Sequence, residues 1–256
     1  MAAIASLIDL NCDLGEDVDP WEPGTPGVDT LLLDIVTSVN VACGFHAGDA
    51  RVMAEVCRAA TERGVAIGAH VSYLDREHFG RRALDVPADV LRAQVAYQLG
   101  ALLAVARSVG AKVAYVKPHG ALYNAVVHDE GHARAVVEAV DLPVVGLPGS
   151  AVLALAAARG LRTVPEAFAD RGYRADGTLV PRSEPGALVT DPRLVAERVV
   201  RLAADGLVRA VDGSDVVVRA ESVCVHSDTP GAVDLARGVR AALADAGIVV
   251  RSFVGS

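Results

Sequence analysis

The chain has 256 residues, with 52% hydrophobic and only 4% aromatic residues, and its formal net charge is −8. This length suits one large domain, and no apolar run approaches the roughly 20 residues that cross a bilayer, so no membrane partner is expected. The negative charge argues against a nucleic acid partner, because nucleic acids attract basic surfaces.

The start of the chain and its cysteines bear on location. The segment MAAIASLIDLNCDLGE lacks a basic stretch and soon becomes acidic, which is not typical of a secretory signal. The four cysteines show no CxxC spacing, and three of them lie in or at the end of apolar runs. Without an export signal, such residues are expected to be reduced and buried. We therefore expect a cytoplasmic protein.

Short apolar runs alternate along the chain with longer segments of helical spacing. Eight runs are predicted to be strands, because most are rich in β-branched residues and lack strict polar alternation. In chain order they are SLIDLN (6–11), SVNVAC (38–43), VAIGAH (65–70), VAYVK (113–117), PVVGL (143–147), LRTVP (161–165), SVCVH (222–226) and IVVRSFV (248–254).

Helices are predicted between these strands, over 28–37, 49–63, 87–109, 129–140, 150–159, 192–204 and 231–246. Pro87 and Pro192 suit the first turn of a helix, and Gly110 and Gly206 suit the position after its end. Repeated strand–helix units predict a parallel sheet with right-handed crossovers. We therefore predict a single α/β domain over 1–256, an irregular (β/α) barrel of seven or eight parallel strands.

Two segments depart from this pattern. Residues 166–190 form a long polar connection after the sixth strand, and loops of this length are usually functional or disordered. We interpret this one as a lid or a loop of the functional site. Residues 207–219 are predicted to form a β-hairpin with Asp212-Gly213 at its turn.

Polar residues gather at the carboxyl ends of the predicted strands. They are Asn11, Asp13 and Glu16 at the first, Asn40, His46 and Asp49 at the second, His70, Arg81 and Arg82 at the third, Lys117, His119, Tyr123 and Asn124 at the fourth, Glu166, Asp170 and Arg171 at the sixth, and His226 at the seventh. In a parallel barrel these ends share one rim, where barrel enzymes keep their active sites.

Simpler interpretations compete with a shared site. A lone histidine at a strand end is more often structural, but four at equivalent positions (His46, His70, His119 and His226) favour a site. Asp49 taken singly is better explained as a helix N-cap. Lys117 is expected to face carboxylates, because an unpaired buried ammonium is costly. His128 and His132, near a predicted helix start, are expected on the surface.

A divalent metal is compatible with the same residue types, although no HExxH or HxH spacing is present. A GxxxxGK[ST] phosphate loop is also absent from the sequence. A bound nucleotide would therefore depend on loop arginines, Lys117 and backbone amides.

Five stretches resemble the LamB/YcsF family, and together they span nearly the whole chain. They are IDLNCDLGE (8–16), NVACGFHAGD (40–49), IGAHVSYLDREHFGRR (67–82), VKPHGALYN (116–124) and CVHSDTPGAV (224–233). One departure is Val71, where the family usually has proline after the histidine of the third strand. The resemblance implies an irregular barrel of the glycoside hydrolase/deacetylase type. It also implies ATP-dependent hydrolysis of the lactam 5-oxo-L-proline to L-glutamate, with two partners, the 5-oxoprolinase subunits B and C.

This resemblance suggests roles for the rim residues. Asp13, His70, Lys117 and His119 are the expected catalytic residues, with Asp13 or either histidine as the base that activates water. Cations would lie near the phosphates, and Glu16 and Asp49 would hold the Mg²⁺ that accompanies ATP. The expected substrate- or nucleotide-binding residues are Asn11, Asn40, His46, Arg81, Arg82, Tyr123, Asn124, Arg171 and His226.

Two other functions remain open at this point. One is a metal-dependent amide or carbohydrate deacetylase that works alone, without ATP. The other is a component that binds the lactam and passes it to its partners without catalysing the reaction.

Overall fold

The structure is a computed structural model that describes residues 7–19, 21 and 25–255. Ser6, the first residue of the first predicted strand, therefore lies outside the described residues. The same holds for residues 1–5, 20, 22–24 and 256 of the predicted domain. The strands are β1 (Leu7–Leu14), β2 (Ser38–Ala42), β3 (Ala66–Val71), β4 (Val113–Pro118), β5 (Val144–Gly146), β6 (Thr163–Phe168), β7 (Leu207–Arg209), β8 (Asp215–Val217), β9 (Ser222–Val225) and β10 (Val249–Val250).

Helices connect most of the strands. They are α1 (Val28–Leu33), α2 (Ala50–Glu62), α3 (Ala88–Ser108), α4 (Gly120–His128), α5 (Glu130–Glu138), α6 (Ala151–Ala158), α7 (Pro192–Asp205) and α8 (Ala232–Asp245), with a 3-10 turn at Arg76–His78. Asp49 and Asp191 cap α2 and α7 by accepting hydrogen bonds from backbone amides. Gly206 ends α7 in the left-handed region at φ 69°, where glycine carries no Cβ penalty.

Seven strands close into a barrel. In the order β1, β2, β3, β4, β5, β6 and β9 each pairs in parallel with the next, and β9 pairs back onto β1. The short β10 pairs in parallel with the beginning of β1. The predicted fold class, a parallel barrel of seven or eight strands, is confirmed.

Strand ends differ from the prediction in ways that matter for the site. β1 continues to Leu14 and β6 continues to Phe168, so Asp13 and Glu166 lie within strands rather than after them. The eighth predicted strand, 248–254, shrinks to Val249–Val250. Helix α4 was not predicted, and the first helix ends at Leu33 rather than at residue 37. Pairing with neighbouring strands, rather than local hydrophobicity, sets the strand limits.

The two faces of β1 have opposite character. Its outward residues pack in the main hydrophobic core and are Ile8, Leu10, Cys12 and Leu14. The alternate residues Asp9, Asn11 and Asp13 are also buried, but they point into the barrel, since strand side chains alternate. Asn11 donates hydrogen bonds to Glu166 of β6 and Ser222 of β9, at 2.8 and 2.7 Å. The barrel interior is therefore polar along β1.

The opposite end of the barrel interior is apolar. Tyr115, Val145, Val164 and Phe253 form a separate buried cluster there. The ring of Phe253 meets the ring of Tyr115 edge-on, with centroids 4.9 Å apart. The segment after β10 thus closes the end where the strands begin.

Several other predictions can be compared with the structure. β7 and β8 form the predicted hairpin around Asp212-Gly213. All four cysteines are free and buried. His128 is exposed as predicted, but the prediction for His132 is wrong, because this residue is buried with Nδ1 2.7 Å from the Tyr73 hydroxyl. Within the described part of the chain, no helix combines the length and apolar character needed to cross a bilayer.

Candidate active site

A cavity of about 570 Å³ opens at the carboxyl ends of the strands. Its lining includes Asp13, Glu16, His70, Lys117, His119 and His226 on the barrel side, and Arg81, Arg171, Arg174 and Arg182 on the loop side. Residues from β1, β3 and β4 thus meet those that follow β6 and β9. The expectation that the rim residues converge agrees with this arrangement.

The stretch VKPHG around the end of β4 supplies the centre of this cavity. Lys117 points into the barrel, and the backbone amide of His119 donates to the carbonyl of Val71 on β3 at 2.8 Å. Gly120 has φ +55°, and a Cβ there would lie 2.5 Å from the Gly80 carbonyl oxygen. Only glycine lets the 79–81 segment approach this closely. That approach places the Phe79 carbonyl 2.9 Å from His119 Nε2.

Lys117 lies within an ion cluster inside the barrel. Its Nζ is 3.0 Å from Asp13 Oδ1 and 2.9 Å from Glu166 Oε1, while Asn11 Oδ1 is 3.4 Å away. Asn40 donates to Asp13 Oδ1 at 2.7 Å. Burial would lower the pKa of the Lys117 ammonium, but the nearby carboxylates, led by Asp13, raise it well above its usual value. The surrounding carboxylates therefore favour the charged form of Lys117 in this site.

Three histidines and Glu16 form a second cluster beside the first. Glu16 Oε1 lies 2.9 Å from His46 Nε2, 3.1 Å from His119 Nδ1 and 3.6 Å from His70 Nε2. His70 Nε2 is also 3.0 Å from His119 Nδ1 and 3.4 Å from Asp13 Oδ2. The four side chains are buried, and one donor atom of each lies within 4.8 Å of the others.

The charge states of these groups follow from their surroundings. Burial would raise the pKa of Asp13 and of Glu16, but the neighbouring histidines hold both well below their ordinary values, with help from Lys117 at Asp13. Burial lowers the pKa of His46 to about 3. Burial would also lower the pKa of His70, but Asp13 and Glu16 raise it above the ordinary value. The site therefore holds two ionised carboxylates beside a neutral His46.

His226 forms a dyad with Asp170 on the other side of the cavity. Its Nδ1 lies 2.9 Å from Asp170 Oδ1, and the Thr229 hydroxyl donates to the other carboxylate oxygen at 2.5 Å. The ring stacks on Phe168, with centroids 5.3 Å apart and planes 8° from parallel. Asp170 accepts from Nδ1–H, so in a neutral imidazole Nε2 presents the lone pair. His226 is thus oriented for proton transfer.

The long connection after β6 forms one wall of the cavity through residues 178–183. The buried Arg171 holds this wall, because its guanidinium donates to the carbonyls of Val180 and Ala187 at 2.7 and 3.1 Å. Burial lowers the pKa of Arg171 to about 10. The interpretation of this segment as a site loop fits its place at the cavity. Two of the Arg171 donors, however, hydrogen-bond to backbone carbonyls of the loop and are not available to a ligand.

The structure does not bring every predicted residue into the cavity. Asp49 is exposed and caps α2 through the amide of Val52, as the simpler interpretation held. Arg82 is exposed and pairs with Asp75 at 3.6 Å. Asn124 lies at the cavity edge, where its side chain donates to the Gly120 carbonyl. The remaining predicted residues that are buried around the ion clusters or line the cavity are Asn11, Asn40, His46, Arg81, Tyr123 and Arg171.

Sequence reasoning gave no site role to three residues that complete these clusters. Glu166 pairs with Lys117, Asp170 orients His226, and Ser72 lies 3.0 Å from His46 Nδ1. The available signal was the acidic Glu166 between apolar residues. A predicted sixth strand that ended at residue 168 instead of 165 would have included Glu166 and placed its side chain inside the barrel.

Solved structures with a similar barrel show the kind of fold to which this chain belongs. The barrel is similar to that of the polysaccharide deacetylase Bc1974 from Bacillus cereus, with a TM-score of 0.50 over 98% of this chain and 93% of that one, and 11% identity. This likeness concerns the fold alone. A lactam utilization protein from Thermus thermophilus has a TM-score of 0.87 and 43% identity, over 96% of this chain and 99% of that one.

Sequence comparison identifies the protein family. A sequence model of the LamB/YcsF family matches residues 8–256. The A subunit of 5-oxoprolinase from Streptomyces coelicolor is 59% identical over 252 residues, 96% of this chain and 100% of that protein. Its counterpart from Kocuria rhizophila is 57% identical over 253 residues, 97% of this chain and 99% of that protein. The chain belongs to the LamB/YcsF family.

Proposed function

We propose that this chain is the A subunit of an ATP-dependent 5-oxoprolinase, which hydrolyses 5-oxo-L-proline to L-glutamate together with subunits B and C. The observation that carries the proposal is the 59% identity, over the full length of the relative, to a protein that bears the name of the 5-oxoprolinase A subunit. The similar fold of a lactam utilization protein supports the same substrate class.

The cavity suits a small polar substrate. Its volume of about 570 Å³ lies within the range of small-molecule sites. The lactam has one carboxylate, and two cations of the cavity wall, Arg81 and Arg182, face the carboxylate of Asp228. A substrate carboxylate can take the place of Asp228 on either guanidinium. The lactam ring would then point toward the buried acids and histidines.

Opening a lactam requires two proton transfers, one from the attacking water and one to the departing nitrogen. His226, fixed by Asp170, is the side chain best oriented for these transfers. Asp13, His70 and His119 remain proposed catalytic residues at the inner end of the cavity. Lys117 contributes its fixed charge and holds Asp13 in place.

ATP with Mg²⁺ is the proposed co-substrate. The guanidinium groups around the cavity, including Arg81, Arg171 and Arg182, suit polyanionic phosphates, and they are the residues of this chain that would hold them. When bound, ATP would supply the free energy that a stable five-membered lactam needs for hydrolysis. Of the two acids expected to hold Mg²⁺, only Glu16 lines the cavity. A requirement for ATP also accords with the proposed cytoplasmic location.

Glutamate release from 5-oxoproline tests this proposal. The chain should be assayed alone and with its partners, each with and without ATP, and glutamate is expected only from the complete mixture with ATP. His226→Ala and Asp170→Asn should lower turnover by about 10²–10⁴-fold, the usual contribution of a positioned acid or base. His78→Ala, which removes an exposed imidazole outside the cavity, is the matched control. No ATP-dependent glutamate from the complete mixture would overturn the proposal.

A second candidate is a metal-dependent amide or carbohydrate deacetylase that works alone. The cluster of Glu16 with three histidines favours it, since these are ordinary metal ligands. Amide or acetyl hydrolysis by the isolated chain without ATP would support this candidate against the first.

A further inference from the structure

The outer nitrogens of His70 and His119 have fixed roles. His70 Nδ1 lies 3.0 Å from the Lys117 carbonyl oxygen, and His119 Nε2 lies 2.9 Å from the Phe79 carbonyl oxygen. A carbonyl oxygen only accepts hydrogen bonds, so each of these nitrogens carries a proton. In a neutral imidazole the other nitrogen then presents a lone pair.

These two lone pairs face each other. His70 Nε2 and His119 Nδ1 are 3.0 Å apart, and the rings stand at 90°. Neutral rings would leave two lone pairs in contact inside the protein, where burial strengthens their repulsion. The pair therefore needs a positive centre near both nitrogens, either a proton shared by the two rings or a bound metal ion.

Glu16 supplies a third donor at this position. Its Oε1 lies 3.1 Å from His119 Nδ1 and 3.6 Å from His70 Nε2. With bonds of about 2.0–2.2 Å, a tetrahedral ion separates its ligand atoms by roughly 3.3 Å. The distances among the three donors lie on both sides of that value. We propose that His70 Nε2, His119 Nδ1 and the Glu16 carboxylate bind a divalent transition metal ion of the zinc class.

His46 is not a ligand of the proposed metal ion but contacts its ligand Glu16. Its ring stacks on that of His119, with centroids 3.8 Å apart and planes 7° from parallel, so the two in-plane lone pairs cannot aim at one ion. Its Nε2 instead lies 2.9 Å from Glu16 Oε1, where a neutral imidazole donates a hydrogen bond. The Ser72 hydroxyl, 3.0 Å from Nδ1, completes this arrangement. His46 is therefore a positioning residue for Glu16.

The charges nearby favour a divalent ion. The carboxylates of Asp13, Glu16 and Glu166 are buried beside a single ammonium, that of Lys117. A buried cluster with more acids than cations favours a further cation, because a buried charge is stable only when it is paired. A divalent cation at the proposed position would contact one of these acids, Glu16.

The proposed site is open to substrate. Glu16, His70 and His119 all line the cavity, so the side of the ion away from the protein ligands faces the space where a substrate binds. Three protein ligands with an open position are typical of catalytic rather than structural zinc sites. Such an ion polarises a carbonyl or a bound water. The site rests on ligand geometry and does not depend on the lactam assignment.

Metal binding by the whole chain tests the proposal. Protein stripped with a chelator should be titrated with Zn²⁺ by calorimetry, and with Co²⁺ while its visible absorption is recorded. We expect one ion per chain and the intense absorption of low-symmetry Co²⁺. His119→Ala and Glu16→Gln should weaken binding by roughly 100-fold or more, whereas His46→Ala should weaken it by roughly 10–100-fold while keeping one site.

Two controls make the result decisive. His78→Ala should bind metal like the wild type, and near-ultraviolet circular dichroism should show that each variant is folded. If His119→Ala fails to fold, the isosteric Glu16→Gln variant carries the test. Failure of the wild type to bind Zn²⁺ or Co²⁺ would overturn the proposal and leave a proton shared by the two imidazoles as the cation. Unchanged binding by both ligand variants would overturn it as well.

Discussion

Lys117 is 1% exposed, and its ammonium lies 3.0 and 2.9 Å from carboxylate oxygens of Asp13 and Glu166. Neither the cation nor its partners would be stable here alone, because removing a charge from water costs several kcal/mol unless it is paired. Three strands, β1, β4 and β6, each contribute one of these groups. Their polar residues therefore stabilise the barrel only as a set.

Replacing Lys117 by methionine should destabilise the fold by about 3–5 kcal/mol, because two carboxylates would remain buried without their cation. Urea unfolding of both proteins measures this difference. The matched control is Lys112→Met, at the chain's other lysine, which is exposed and should change stability by roughly 0.5 kcal/mol or less. Glu166→Gln in the Lys117→Met background should recover part of the loss. Equal effects at the two lysines would contradict this account.

Asp9 gives a pH-dependent prediction at the same scale. Burial raises its pKa to about 6 from 3.8, although three hydroxyl groups donate to it, those of Thr37, Ser38 and Ser222. A raised folded pKa means that this residue's contribution is full below the unfolded value and is lost as the pH rises through about 6.

Asp9→Asn should therefore remove this loss. Relative to the variant, the wild type should lose about 3 kcal/mol of unfolding free energy between about pH 3 and pH 7. Urea unfolding of both proteins across this pH range measures the difference, and unrelated carboxylates cancel from it. A flat or opposite difference would show that Asp9 is ionised in the folded state at acidic pH.

At the scale of elements, the ring of Tyr115 on β4 lies against the backbone of Gly68 on β3, in space that any larger side chain at residue 68 would occupy. The register between the two strands shifts at Ile67/Gly68, and a Cβ on Gly68 would lie 2.1 Å from the ring of Tyr115. The Tyr115 hydroxyl reaches the Val39 carbonyl of β2 at 2.9 Å. Glycine in β3 thus makes room for an aromatic ring that extends from β4 over β3 to β2.

Gly68→Ala should cost roughly 1–3 kcal/mol in unfolding free energy, because the added methyl group overlaps a buried ring. Gly100→Ala is the contrasting substitution, since nothing lies within 4 Å of its added Cβ on the exposed side of α3. It should stabilise the protein by roughly 0.5–1 kcal/mol through helix propensity. Thermal or urea unfolding compares the two. Replacing Tyr115 by valine should relieve Gly68→Ala, and a failure to do so would place the cost elsewhere.

At the scale of the whole molecule, the candidate site and an apolar cluster lie at opposite ends of the barrel. The ion clusters and the cavity lie at the carboxyl ends of the strands, whereas Phe253 closes the opposite end against Tyr115, Val145 and Val164. Parallel barrels commonly divide their two ends in this way.

Phe253→Ala should therefore destabilise the fold by about 3–5 kcal/mol, the usual cost of removing a buried phenylalanine ring. Turnover per folded molecule and the number of bound metal ions should stay unchanged. The neighbouring Val254→Ala, at a side chain 37% exposed, is the control for stability. A selective loss of turnover in Phe253→Ala would show that the two ends are coupled.

Local sequence patterns were sufficient for the order of the strands, for every helix except α4, and for the rim on which the polar residues meet. Runs of β-branched residues, and the prolines and glycines at element ends, act on the backbone over a few residues. Their effect on secondary structure can therefore be recognised from the sequence alone. Strand limits were less predictable, because β1 and β6 extend as far as their neighbours pair with them. His132 was placed wrongly for a similar reason, since its partner Tyr73 is distant in the chain.

The sequence by itself determined a parallel barrel and four strand-end histidines that approach a common cavity, because period and punctuation are local properties. Only the tertiary structure decided which nitrogen of each imidazole is free, which carboxylate faces Lys117 and which acid orients His226. These depend on carbonyls and carboxylates from remote strands, at distances near 3 Å that no spacing along the chain encodes. Asp49 and Glu166 show the difference: the first caps a helix although it follows a strand, and the second completes the ion cluster from within one.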